Sequence, residues 1–112
     1  DKDREGALQA LKQLLGAGEP PLKIITMITR QIRLLVQAKE MLEEGLSQTE
    51  IGRKLGIRDF YLRDFIKRAQ TVSRTRGEKS IHLLFHSDWK LKSSRVDKRL
   101  VLEDLVTGLC VL

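Results

Sequence analysis

Apolar residues between positions 18 and 44 follow two neighbouring stripes of a single long helix. One stripe comprises Ile25, Ile28, Ile32, Leu35 and Leu42, and the other comprises Ile24, Met27, Leu34, Ala38 and Met41. A surface helix with one packing partner carries a single apolar stripe of roughly 100°. The pattern therefore predicts a central helix that packs on two sides. The remaining stripe is polar and is expected to face solvent, with Lys23, Thr26, Arg30, Arg33, Gln37, Glu40 and Glu44.

A first helix with one apolar face is predicted on the N-terminal side of this segment, over residues 3–15. Gly16 and Gly18 are expected to end it, because glycine is common just past a helix C-terminus. Pro20 and Pro21 then favour the first turn of the long helix, where an amide hydrogen has no partner within the helix. The apolar face of the first helix comprises Ala7, Leu8, Leu11, Leu14 and Leu15.

Two short helices are predicted between residues 46 and 72. Ser47 and Glu50 form a capping box that opens the first of them, and Gly56 ends it. Asp59 is placed as the N-cap of the second. A break is expected over residues 71–77, which are polar, basic and weakly helical. The predicted core positions are Leu46, Ile51, Leu55, Leu62, Phe65, Ile66, Ala69 and Val72.

Two further helices are predicted, over residues 78–92 and from Asp97 onward, with a turn at 92–94 between them. Asp97 is expected to cap the last helix. The predicted inward positions are Ile81, Leu84, Phe85, Asp88 and Leu91 on the first, and Leu100, Val101, Leu105, Val106 and Leu109 on the second. No pair of strands is indicated. The predicted fold class is all-α, a five- to six-helix bundle that forms one domain over residues 1–112.

Length and composition are ordinary for a soluble helical domain. A chain of 112 residues can bury enough surface to fold without disulfides. Cys110 is its only cysteine, which favours a reducing, cytoplasmic setting. No run of about 18 apolar residues predicts a membrane span. Since the chain opens without a methionine inside helical sequence, we expect it to be a domain excised from a longer chain.

The sequence pattern of residues 46–69 is typical of a helix-turn-helix. Gly52 lies at a point where a small residue permits two helices to cross closely. Between residues 53 and 76, eight basic and two acidic residues give a charge of +6, equal to the net charge of the whole chain. A DNA-binding helix-turn-helix module is therefore one candidate function. Its candidate DNA contacts are Arg58, Arg63 and Lys67.

Two features oppose DNA reading by this motif. Asp59 and Asp64 would bring negative charge close to phosphates. Phe60 and Tyr61 lie at the N-terminal end of the candidate recognition helix, where short polar side chains usually reach the bases. These two aromatic residues suit burial or a protein contact better. A helix-turn-helix that serves only for packing is therefore preferred over one that reads DNA.

Other reactive side chains form no catalytic set in the sequence. The spacing of His82 and His86 can hold a metal, but no third ligand is evident, so they are interpreted as surface or interface imidazoles. Cys110 is interpreted as a small core residue. Trp89 is interpreted as a residue at the edge of the core, with anchoring of an interface as the less favoured alternative. Because no phosphate-binding loop occurs either, we expect no enzyme activity, no cofactor and no bound metal.

Four blocks of the chain carry a resemblance to a known family. They are GEPPLKIITMITRQIRLLVQAKEML, LSQTEIGRKLGIRDFYLRDFIKRA, DWKLKSS and VDKRLVLEDLVTGLC, and ALQALKQLLGAGEPP precedes them. In this order they resemble the C-terminal domain of the bacterial DNA polymerase III delta subunit, over nearly the whole chain. The stretch SRTRGEKSIHLLFHSDWK departs from the family pattern, because it is more basic and carries Trp89.

The resemblance implies an all-helical collar domain that holds the delta subunit in the clamp-loader pentamer during DNA replication in the bacterial cytoplasm. The implied partners are the delta prime and gamma/tau subunits. The sliding clamp would be reached only through upstream domains. Apart from the resemblance, the basic stretch at 53–76 leaves a weak contact with DNA as a possibility, and no contact with a membrane is expected. ATP would be used by the parent complex and not by this domain. Arg30, Gln31 and Arg33 match the second helix of the family, and Lys92, Ser93 and Ser94 match its late turn. Together with Gln37 of the polar stripe, these residues are taken as the candidate subunit interface.

Overall fold

Helices account for most of the chain in a computed structural model that describes residues 2–93 and 95–111, with side chains described from residue 4 onward. The six helices are α1 (Lys2–Gly16), α2 (Pro21–Glu43), α3 (Gln48–Leu55), α4 (Asp59–Gln70), α5 (Arg74–Leu91) and α6 (Lys98–Val111). The described residues contain no strand. The predicted all-α class with five to six helices is confirmed.

The helices divide between two compact units. Unit 1 comprises Asp1–Thr29 and Lys79–Leu112, and unit 2 comprises Arg30–Glu78. Helices α2 and α5 therefore contribute residues to both units. The assignment of residues 1–112 to a single domain stays a prediction.

Unit 1 is built around the packing of α1 against α6. Gly108 lies close to α5, since a Cβ atom built on it would stand 2.7 Å from Leu83 Cδ2. Asp97 caps α6 as predicted, because its Oδ1 accepts a hydrogen bond of 3.3 Å from the amide of Leu100. The prediction that Leu100 faces inward is wrong, since this residue is 54% exposed. The buried apolar residues of unit 1 are Leu11, Ile24, Ile25, Leu84, Leu91, Val101, Leu102, Leu105 and Val106.

Unit 2 packs α3 and α4 against the C-terminal half of α2. Its buried cluster comprises Ala38, Ile51, Phe65, Ile66 and Ala69. Partly buried residues surround this cluster, namely Leu34, Leu35, Met41, Leu42, Leu46, Leu55, Ile57 and Leu62. A Cβ atom built on Gly52 would lie 2.9 Å from Leu62 Cδ1, so the predicted close crossing of α3 and α4 is confirmed.

The ends of α3 follow the predicted signals. Ser47 is the N-cap, and its Oγ accepts a hydrogen bond of 3.2 Å from the amide of Glu50. The Ser47 hydroxyl in turn donates to Glu50 Oε1 at 3.0 Å. Gly56 ends the helix in the left-handed region with φ of 71°, which a residue with a Cβ atom adopts at a cost of about 1 kcal/mol.

The start of α4 differs from the prediction by one residue. Arg58 is the N-cap, with no capping hydrogen bond from its side chain, and Asp59 is the first residue of the helix. A carboxylate in the first turn still interacts favourably with the helix dipole. The preference of aspartate for the N-cap and for the first turn is similar enough that the sequence does not separate the two positions.

Helix α5 begins four residues earlier than predicted, at Arg74 instead of Glu78. Ser73 supplies the missing start signal, because its Oγ accepts a 3.0 Å hydrogen bond from the amide of Arg76. The Ser73 carbonyl accepts a 2.9 Å bond from the amide of Gly77. The break is therefore confined to the short connection between α4 and α5.

The inward face of α5 agrees with the prediction at Leu84 and Leu91, but its other buried positions are glycine or serine. Gly77, Ser80, Leu84, Ser87 and Leu91 are buried at three/four spacing. A Cβ atom on Gly77 would approach Val36 Cγ2 to 3.3 Å within unit 2. The predicted inward residue Phe85 is exposed. Leu84 takes the inward position beside it, and Phe85 points to the other side of the helix.

The stripes of α2 follow the sequence pattern in most positions. All seven residues of the polar stripe are exposed or partly exposed, as predicted. Ile24, Ile25 and Ala38 are buried, and the other apolar positions are partly buried with one exception. Met27 is exposed, so its predicted place on a packed face is wrong.

We expect Leu105→Ala to lower the free energy of unfolding by about 2–5 kcal/mol, because it removes a fully buried side chain and leaves a cavity. Leu100→Ala on the same helix is the matched control and should change it by less than about 1 kcal/mol. Urea denaturation followed by circular dichroism measures both. Equal effects of the two substitutions would show that α6 is rotated relative to this description.

Candidate interaction surfaces

The outward side of α5 carries the largest exposed rings of unit 1. Phe85 is 68% exposed and Trp89 is 72% exposed, one turn apart. His82 and His86 are also exposed on this helix. The ring of His86 stacks near that of Trp89, with centroids 6.5 Å apart and planes inclined by 20°. We call these four residues the α5 aromatic face.

This face holds a large amount of apolar surface in water. Aromatic side chains bury roughly 150–250 Å² each when covered. At about 25 cal/mol per Å², covering Phe85 and Trp89 would be worth several kcal/mol. Trp89 was predicted at the edge of the core, and that prediction is wrong. Its exposure together with that of Phe85 makes this surface suited to contact another molecule.

The C-terminal end of α5 continues this surface. Lys92 is exposed, and its Nζ lies 2.9 Å from Asp88 Oδ2 in an ion pair open to solvent, which contributes little to stability. Ser93 is half-buried, and its Oγ accepts a 3.3 Å hydrogen bond from the amide of Arg95. The turn predicted at 92–94 is confirmed for Lys92 and Ser93. The candidate interface residue Ser94 lies outside the described residues.

The remaining candidate interface residues lie in unit 2. Arg30, Gln31, Arg33 and Gln37 all reach solvent on α2. At 3.6 residues per turn, Arg30, Arg33 and Gln37 share one stripe, whereas Gln31 points about 100° away from Arg30. The candidate interface residues therefore fall in both units, with Lys92 and Ser93 in unit 1 and the four α2 residues in unit 2.

Exposed basic residues lie on α3, α4 and the start of α5 in unit 2. All eight basic residues between positions 53 and 76 are exposed, and none forms an ion pair with an acid among residues whose side chains are described. Arg63 and Lys67 lie one turn apart on α4, and Arg58 directly precedes that helix. We call this set the basic surface. It comprises Arg53, Lys54, Arg58, Arg63, Lys67, Arg68, Arg74 and Arg76.

Two aromatic residues project from the basic surface at the start of α4. Phe60 is 87% exposed and Tyr61 is 59% exposed. Their rings meet edge to face, with centroids 5.1 Å apart. These two rings are therefore not buried within this chain, which was one of the two expectations for them. The packing of α4 in unit 2 uses Leu62, Phe65 and Ile66 instead.

The other reactive side chains are scattered. His82 and His86 are exposed, and no group of three His, Cys, Asp or Glu side chains in the described part of the chain could hold a metal ion. Cys110 is half-buried, so the prediction that it lies in the core is met only in part. Of the helices described, none has the length and apolar character to cross a membrane.

Sequence reasoning missed the outward direction of Phe85 and Trp89. The signal that could have found it is the recurrence of small residues at Gly77, Ser80 and Ser87, in phase with Leu84 and Leu91. Apolar periodicity gives little weight to glycine and serine, so it selected the face with the larger side chains.

The chain is similar to known proteins over nearly its whole length. The model of the family described as DNA polymerase III delta subunit, C-terminal domain, matches residues 1–109. The DNA polymerase III subunit delta of Bacillus subtilis is 31% identical over 103 residues, which cover 92% of this chain and 30% of that protein. The solved structure of the Bacillus subtilis DNA clamp loader delta protein gives a TM-score of 0.84 at 30% identity, over 97% of this chain and 32% of that one. The chain thus spans about a third of the length of these relatives.

We expect acrylamide to quench the fluorescence of Trp89 in the native chain nearly as efficiently as in the chain unfolded in guanidinium, because this side chain is exposed. Trp89 is the only tryptophan, so the signal reports one site. Stern–Volmer plots of the two states measure the difference. Quenching that is several-fold weaker in the native chain would contradict the exposure of the Trp89 side chain on the outward side of α5.

Proposed function

Because the chain belongs to the family formed by the C-terminal domains of DNA polymerase III delta subunits, we propose that it is a collar domain that holds such a protein in a clamp loader. It acts by packing helix faces against neighbouring subunits, and the assembled loader places the sliding clamp on DNA for replication. The observation that carries the proposal is the α5 aromatic face, which is apolar, exposed and continuous with the turn at Lys92 and Ser93.

The aromatic residues supply most of the affinity in this proposal. Tryptophan is enriched among interface residues whose truncation costs about 2 kcal/mol or more, and such residues sit near the centre of the contact. Phe85 and Trp89 form that centre. Lys92 and Ser93 lie at its edge, where polar groups remain partly hydrated. Standard interfaces bury about 1,200–2,000 Å² in total, so residues beyond the aromatic face must take part.

Charged residues determine which neighbour is accepted. Arg30, Arg33 and Gln37 on the polar stripe of α2, with Gln31 beside it, form a second contact in unit 2. Complementary charge across an interface raises the association rate and disfavours wrong partners more than it adds affinity. The proposed neighbours are the delta prime and gamma/tau subunits. The sliding clamp is contacted by parts of the delta subunit outside this chain.

Phe85→Ala combined with Trp89→Ala should weaken binding of the chain to the purified clamp-loader subunits by at least roughly a hundredfold, since each truncation removes an interface centre worth about 2 kcal/mol or more. Co-purification on an affinity column and analytical ultracentrifugation measure the loss. Circular dichroism should show the helix content unchanged, because both side chains are exposed.

Phe60→Ala is the matched control, since Phe60 is an exposed aromatic residue in unit 2. This variant should bind the subunits as the parent chain does. If the double variant also co-purifies normally, the aromatic face is not the contact. If the parent chain itself fails to bind any clamp-loader subunit, the collar assignment fails.

The domain is proposed to take no part in catalysis itself. The glycine-containing segment Gly16–Gly18 connects α1 to α2, whereas a phosphate-binding loop joins a strand to a helix and carries a lysine and a hydroxyl residue. The chain alone should therefore hydrolyse ATP no faster than a buffer blank in a coupled phosphate assay. Saturable ATP turnover that co-elutes with the chain through two columns would overturn this part of the proposal.

A further inference from the structure

Exposed side chains form a continuous row along the outward side of α5. His82, Phe85 and Trp89 follow one another at intervals of three and four residues, and all three are exposed. Lys92 continues the row just past the end of the helix. From His82 to Trp89 the row extends over about 10 Å, or roughly two turns. An alternation of three and four residues is the spacing by which one helix packs along another.

A helix is the element that fits this row. Side chains in such a row insert between those of a second helix when the two helices cross at about 20°. A β-strand cannot pair with this surface, because the backbone N–H and C=O groups in the middle of a helix are already bonded within it. Phe85 and Trp89 lie one turn apart, so they would enter two successive gaps between the side chains of the second helix.

One flank of this row is cationic. At about 100° per residue, Lys79 and Lys90 lie roughly 80–100° to one side of Trp89. Asp88 lies about as far to the other side. It is the only acid between positions 79 and 92, and it pairs with Lys92 at 2.9 Å. Lys79 and Lys90 form no ion pair with an acid among residues whose side chains are described. The flank therefore suits a neighbour that supplies carboxylates.

We propose that the outward side of α5 receives one amphipathic helix of a neighbouring clamp-loader subunit, with acidic side chains along the edge that meets Lys79 and Lys90. This inference rests on the proposed function, because it specifies the element and the charge of the neighbour that covers the α5 aromatic face. Apolar side chains of that helix cover Phe85 and Trp89. Its carboxylates lie beside the two lysines, where complementary charge speeds association and disfavours wrong neighbours.

A second copy of this chain fits the surface less well. In an antiparallel pair of α5 helices the same flank of each helix meets, so Lys79 of one copy would stand beside Lys90 of the other. Like charges placed together across an interface disfavour the complex. In a parallel pair the two lysines would meet the flank that holds Asp88, which already pairs with Lys92. Carboxylates from a different chain neutralise both lysines without this conflict.

Surface plasmon resonance of the 112-residue chain on the purified delta prime and gamma/tau subunits tests the charge of the neighbour. Lys79→Glu with Lys90→Glu should slow association by about tenfold at about 50 mM NaCl, because the complementary charge is reversed. The difference should shrink to less than about twofold at about 1 M NaCl, where charges are screened. Arg4→Glu with Lys12→Glu, exposed on α1, is the control with an equal change of charge. It should slow association by less than about threefold at the lower salt concentration.

Carbodiimide coupling of the assembled clamp loader, followed by mass spectrometry, tests whether the neighbouring element is a helix. The reagent joins a lysine amine directly to a carboxylate that lies in contact with it. Lys79 and Lys90 stand about 16 Å apart along α5. Both should therefore couple to carboxylates about 7–14 residues apart within one segment of a single neighbouring subunit. Coupling of the two lysines to different subunits, or to positions far apart in one sequence, would overturn the assignment to one helix.

Failure of this inference differs measurably from failure of the proposed function. If the lysine variant associates as fast as the control while Phe85→Ala with Trp89→Ala abolishes binding, the neighbour is not acidic and the proposed function stands. Faster association of the lysine variant would mean a basic neighbour. A dimer of the chain alone that dissociates when both rings are removed would identify a second copy as the occupant. Normal binding without the two rings would overturn the proposed function and this inference together.

Discussion

The burial of apolar residues along α2 is the constraint on which both units depend. Ile24 and Ile25 are buried in unit 1, and Ala38 belongs to the buried cluster of unit 2. A helix of 23 residues with two apolar stripes cannot be covered by a single neighbour. Each half of α2 therefore supplies part of a separate core, and the exposed polar stripe with Arg30 and Arg33 runs along the remaining side.

Helix α5 buries one side and exposes large rings on the other. Its buried positions are Gly77, Ser80, Leu84, Ser87 and Leu91. Phe85 and Trp89 face outward, where contact of their rings with water is unfavourable until another surface covers them. In unit 2 the aromatic pair at the start of α4 is exposed as well.

Local signals in the sequence predicted much of this fold. Ser47, Gly56 and Asp97 act on backbone groups a few residues away, so their effect can be derived from spacing alone. The polar stripe of α2 was found because charged residues rarely become buried. The start of α5 was missed because Arg74 and Arg76 follow Ser73, and basic residues are unfavourable in a first turn.

The orientation of exposed aromatic residues was beyond sequence reasoning for a different reason. Hydrophobic periodicity reports that a face tends to leave water, and it cannot tell whether the same chain or another molecule will cover it. Phe85 and Trp89 were therefore assigned to the core or its edge, and Phe60 and Tyr61 to burial or a protein contact. Only the packing of Leu84 and Ser87 against the interior shows which side of α5 is left open.

Coverage of the α5 aromatic face by a neighbouring protein of the clamp loader is the central claim. Hydroxyl-radical footprinting with mass spectrometry measures the accessibility of each ring in the chain alone and in the assembled clamp loader. On assembly, oxidation of Phe85 and Trp89 should fall several-fold, while oxidation of Phe60 and Tyr61 in the same sample should stay constant. Unchanged oxidation of Trp89 in a fully assembled complex would contradict the account.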